Sequence, residues 1–102
     1  TPLYVACQNG HPEIARLLLA ASAAVDQAKD GGFTPLYIAC QEGQLECAKL
    51  LLGAGAAVTQ AMNSGTTPLF VACQESRLEC VRLLLGASAA VNQAMENGAT
   101  PL

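Results

Sequence analysis

Tryptophan is missing from this chain, and its 102 residues hold only two tyrosines and two phenylalanines, which excludes a core built on large interlocking rings. Basic residues are also scarce. Arg16, Lys29, Lys49, Arg77 and Arg82 are dispersed among eight acids, for a net charge of −3. Phosphate binding needs a concentrated positive surface that releases counterions, so nucleic acid is excluded as a partner. No apolar run approaches the roughly 18 residues of a membrane span, and the first residues lack the charged, apolar and small-residue order of a secretory leader. The expectation is a soluble intracellular chain of the cytoplasm or nucleus, with no membrane partner.

Recognisable catalytic chemistry is absent as well. There is no glycine-rich phosphate loop, no serine elbow and no H-E-x-x-H. The one histidine, His11, follows Cys7 by four residues, but a zinc site needs four ligands, or three and a water. The equivalents of His11 further along are Gln44 and Arg77, so a loop histidine is expected. The five cysteines are 7, 40, 47, 73 and 80, and the spacing of Cys40 to Cys47 and of Cys73 to Cys80 matches no C-x-x-C signature. Cys7, Cys40 and Cys73 share one periodic position, Cys47 and Cys80 another. Equivalent positions on neighbouring packed helices lie about 8–10 Å apart, beyond the roughly 7 Å Cα limit of a disulfide. Buried free thiols in a reducing compartment are therefore expected, with no enzyme activity, no metal and no cofactor.

What the chain does have is repetition. Thr-Pro-Leu stands at Thr1, Thr34, Thr67 and Thr100, at intervals of 33 residues without insertion, and 17 of the 33 positions are identical in all three units. A period of this length signals stacked units, none of which can bury its apolar face alone. In the first unit, Thr1 caps a helix with Pro2 at its first position. Leu3, Ala6 and Cys7 fall on one face, and Gly10 closes the run. Pro12 opens a second helix whose buried stripe is expected to be Ile14, Ala15, Leu17 and Leu18. Glu13 with Arg16, Glu46 with Lys49 and Glu79 with Arg82 suit the solvated side of that helix. The paired Gly31 and Gly32 then mark a tight turn back to the next Thr-Pro. Each unit reads as helix, turn, helix, projecting turn.

The Thr-Pro-Leu opening, Ala6, Gly10-His11, Glu13-Ile14 and Leu17-Leu18-Leu19 together resemble the ankyrin repeat, over the whole chain. The resemblance implies an all-α ankyrin-repeat solenoid of stacked antiparallel helix pairs with projecting turns, here as one domain with repeats 1–33, 34–66 and 67–99 and residues 100–102 starting a fourth. It also implies a concave surface of turns and first helices that binds other proteins. Some positions depart from the family pattern. Its histidine after Thr-Pro-Leu is Tyr4, Tyr37 and Phe70, its turn aspartate is Lys29, Met62 and Met95, and its glycine after the second helix is Ser22 and Ser88 in two units. A serine in that left-handed position costs up to about 1 kcal/mol. Since neither end carries a polar cap, the segment is expected to be a section of a longer array, open to head-to-tail self-association. Seventeen shared positions suit internal duplication or a consensus-derived origin equally.

Framework positions repeat while turn tips vary, which points to a scaffold presenting adjustable surface. The expected partner-binding residues are Gln8 and Asn9; Asp30, Gly31 and Phe33 with Gln41 and Glu42; Asn63, Ser64 and Thr66 with Gln74 and Glu75; then Glu96 and Asn97, with Ala99 beside them. Such a mildly acidic surface favours a protein partner with a neutral or basic face. The rival reading is a structural spacer inside a larger multidomain protein.

Overall fold

A computed structural model describes the backbone of residues 1–96 and the side chains of residues 1–88. Six helices appear among them, in three antiparallel pairs: α1 (Pro2–Asn9) and α2 (Pro12–Ala20), α3 (Pro35–Glu42) and α4 (Leu45–Gly53), α5 (Pro68–Gln74) and α6 (Leu78–Glu96). The first helices pack in one row, α1 on α3 on α5, and the second helices in another, α2 on α4 on α6. Helices this short are marginal alone in water, so stacking must hold them.

Each first helix starts where the Thr-Pro pair places it. The hydroxyl oxygens of Thr1, Thr34 and Thr67 accept from the backbone N–H of Tyr4, Tyr37 and Phe70 at 3.2, 3.1 and 3.1 Å. A cap of this kind contributes about 1 kcal/mol. Gly10 and Gly43 end α1 and α3 at φ 71° and 69°. Ser76 adopts the same left-handed turn at φ 57°, and Ser22 does so at φ 70°, so the serines at these two positions bear the cost rather than avoid the geometry.

The core is thin, as the aromatic-poor composition requires. Ala6, Ala15, Ala39, Ala48 and Ala72 are buried, together with Leu3, Leu36, Leu51, Leu84 and four of the cysteines. Two expectations need correction. Ala15 is buried and Leu18 half-buried, but Ile14 and Leu17 are 50% and 71% exposed. Their equivalents Cys47, Cys80, Leu50 and Leu83 are covered because a preceding helix pair packs on them; among the described residues none packs on that side of α2. The third unit also lacks the expected projecting turn. Ser88 and the alanines around it continue α6 to Glu96. In the first two units a following helix, α3 or α5, docks on the stack and draws the chain back. No described helix does this after α6, and the alanine-rich stretch takes the helical state it favours. Glu96 therefore ends a helix rather than tipping a turn, and Asn97 and Ala99 lie outside the described residues.

Candidate binding face

The two described turns are built alike. Lys29 N–H donates to Phe33 C=O at 2.8 Å and Gly32 N–H to Lys29 C=O at 2.9 Å; Met62 and Gly65 repeat the pattern with Thr66 and Met62, both at 2.8 Å. Neighbouring turns are then tied together. Asn63 N–H donates to Gly31 C=O at 2.9 Å, and the Asp26 carboxylate accepts from Ala57 N–H at 3.0 Å. The tie explains Gly32, whose φ is +90° and where a Cβ would lie 2.9 Å from Asn63 N. Asp30-Gly31 and Asn63-Ser64 are thus held beside one another as successive exposed tips.

Behind the first tip lies an aromatic group. Phe33 is half-buried, its ring edge-on to Tyr37 at 5.5 Å and 84°, so it leans over α3 rather than standing free. Lys29 Nζ sits 4.6 Å from the centre of the Tyr4 ring, a cation–π contact at the position where the family carries aspartate. Tyr4 and Tyr37 are themselves buried. Burial raises both phenols above their ordinary range, and the carboxylates of Glu42 and Glu75 respectively push them further, with Tyr37 also adding to the effect on Tyr4. Reading the residues alone overlooked Tyr4, Lys29 and Tyr37 as part of this face. The 33-residue recurrence of tyrosine was the available signal.

Of the other expected site residues, Gln8, Asn9, Glu42, Gln74 and Glu75 are exposed on α1, α3 and α5 or at their ends, and Gln41 and Thr66 are half-buried. The charges separate by row. Arg16, Lys49 and Arg82 pair with Glu13, Glu46 and Glu79 on the second helices at 2.7, 3.5 and 3.4 Å. Arg77 Nε donates to the Gln41 carbonyl at 3.0 Å, and Lys29 is engaged by Tyr4. Asp30, Glu42 and Glu75 have no basic partner among the described residues, and all three belong to the turns and first helices. No group of three or more His, Cys, Asp and Glu suited to a metal ion occurs among the described residues, and no described helix is long and apolar enough to cross a membrane.

The Arg77 contact has a counterpart one unit earlier, where Gln44 Nε2 donates to the Gln8 carbonyl at 3.3 Å. In both cases a side chain at the interhelix turn closes an open carbonyl in the last turn of the preceding first helix. His11, their equivalent, has no resolved preceding helix to serve.

The family model for ankyrin repeats in three copies matches residues 1–62, and that for a single ankyrin repeat matches residues 64–95. Among solved structures, the crystal structure of the human ASB11 ankyrin repeat domain is similar, at a TM-score of 0.82 and 34% identity over 85% of this chain. The chain spans 39% of the length of that structure's chain. No curated protein sequence matches.

Proposed function

Because the chain belongs to the ankyrin-repeat family, whose repeats are in general protein–protein interaction modules, we propose that it is a non-catalytic scaffold that holds a partner protein on its turns and first helices. The observation that carries this reading is the separation of charge. The basic residues are spent on the second helices, on a backbone carbonyl and on a tyrosine ring, which leaves Asp30, Glu42 and Glu75 without a basic partner. A partner with a basic face would meet them, with Gln8, Asn9, Gln41, Asn63, Ser64 and Gln74 supplying hydrogen bonds and Phe33 an apolar edge. Charge complementarity of this kind speeds association and sets specificity more than it sets affinity.

The test compares proteins retained from lysate by the chain with those retained by an Asp30→Asn, Glu42→Gln, Glu75→Gln variant. These substitutions remove exposed charge and leave the packing intact, so both proteins should unfold at the same temperature. Partners retained by the first and released by the second, with retention weakening as salt rises, are the expected result. Identical sets from both, or nothing from either, would transfer the function to the spacer reading.

A further inference from the structure

Equivalent cysteines in neighbouring units are too far apart to pair, but non-equivalent ones meet. The Cys7 thiol on α1 donates to the Cys47 sulfur on α4, and 33 residues on, the Cys40 thiol on α3 donates to the Cys80 sulfur on α6. All four side chains are buried, while Cys73, the third member of the first series, is exposed. Each receiving sulfur also lines a groove between successive second helices. One groove, of about 210 Å³, is walled by Gly10, Pro12, Gln44, Leu45 and Glu46 with Cys47; the other, of about 250 Å³, has the residues 33 positions later, ending in Cys80. Each pair therefore has one sulfur shut in the core and one beside an opening.

We propose that Cys7 with Cys47 and Cys40 with Cys80 are two inter-unit oxidation sites, each converted to a disulfide by a small hydroperoxide that enters through its groove. Hydrogen peroxide, little larger than a water molecule, fits such a space. Cys47 reacts first because its sulfur accepts from both the Cys7 thiol and the His11 backbone N–H; Cys80 reacts first in the other pair, with the Arg77 guanidinium beside it. The ionised sulfur attacks a peroxide oxygen, the O–O bond breaks, and a sulfenic acid forms as water leaves with the displaced proton. The inner sulfur, Cys7 or Cys40, then attacks the sulfenyl sulfur. The S–S bond forms, the S–O bond breaks, and the inner thiol's proton leaves in a second water. Two thiols are oxidised and one peroxide is reduced. The sulfurs have to close from contact to a bond length of about 2.05 Å, a movement within reach of side-chain rotation and a slight tightening of the stack.

The reaction is slow, since burial pushes the thiols of Cys7 and Cys40 up to about 12 and raises those of Cys47 and Cys80. The experiment treats a Cys73→Ser chain, folded and in dilute solution, with excess hydrogen peroxide, then alkylates and digests it with trypsin and a glutamyl endopeptidase. Together these cut between every pair of cysteines. Mass spectrometry should find the 7–47 and 40–80 linkages, out of the three pairings that four cysteines allow, and free thiol should fall from four per chain towards none. The same linkages should appear in the unsubstituted chain after Cys73 is blocked with N-ethylmaleimide, which guards against a folding defect in the variant. Other pairings, linkage only after urea unfolding, or four thiols persisting in the folded chain would each overturn the proposal.

Discussion

Replacing Arg77 by alanine isolates the bond that joins the third helix pair to the second. Its Nε donates at 3.0 Å to the carbonyl of Gln41, a residue in the last turn of α3. The Gly43 and Gln44 N–H groups close the carbonyls of Ala39 and Cys40, which leaves Gln41 to Arg77. A hydrogen bond to a charged donor contributes about 1.5–3 kcal/mol when buried. This one is half-buried, and water can replace part of it, so Arg77→Ala should cost about 1–2 kcal/mol. For a chain of this length that is roughly a 5–15 °C fall in Tm, read by urea and thermal unfolding. Arg77→Gln should lose only about half as much, because Gln44 already makes the neutral version of the bond to Gln8. The acceptor is an uncharged carbonyl, so the loss should persist at high salt, unlike that of a surface ion pair. An alanine variant within about 0.3 kcal/mol of the parent, or a glutamine variant as weak as alanine, would refute this reasoning.

Two further outcomes follow from the turns and the thiols. Gly32→Ala should lower stability by about 2 kcal/mol or more, combining a left-handed backbone with a Cβ driven onto Asn63 N, whereas Gly65→Ala, also at φ +90° but with nothing within 4 Å, should bear the backbone cost alone; equal losses in urea unfolding would rule out the close approach. On the alkaline side, Cys7 and Cys40 titrate near 9.0 when unfolded and at about 12 when folded. Below pH 9 both states keep the proton and the contribution is full; from there towards pH 12 the unfolded chain releases protons that the fold retains, and stability should fall by about 1.4 kcal/mol per pH unit for each thiol. Tyr4 and Tyr37 add to this slope above their ordinary value of 10.0, and a Cys7→Ala, Cys40→Ala variant should show a shallower alkaline limb.

Much of the architecture was legible in the residues because its signals are local. Thr-Pro starts a helix and Gly10 ends one through contacts within a few residues, and the 33-residue period repeats them. What escaped was set between units. Ile14 and Leu17 have the spacing of a buried stripe, yet their exposure depends on whether a neighbour covers that side. Ser88 has the same sequence context as Ser22, but lies in a helix because the returning chain is not captured. The cysteines were compared at equivalent positions, whereas packing brings position 7 of one unit against position 14 of the next. On the binding face, Asp30, Glu42 and Glu75 could be named from the sequence, but their lack of basic partners became visible only once Arg77 and Lys29 were located.

The contacts from Gln44 to Gln8 and from Arg77 to Gln41 each reach back 36 residues towards the N-terminus. On a ribosome this gives the stack a direction. The carbonyl at the end of a first helix stays open until the chain has grown by a little more than one further period, so each helix pair is completed one unit behind the pair being synthesised. Folding then proceeds as a lagging front, in which the newest unit is always the least finished and the act of joining it seals the one before.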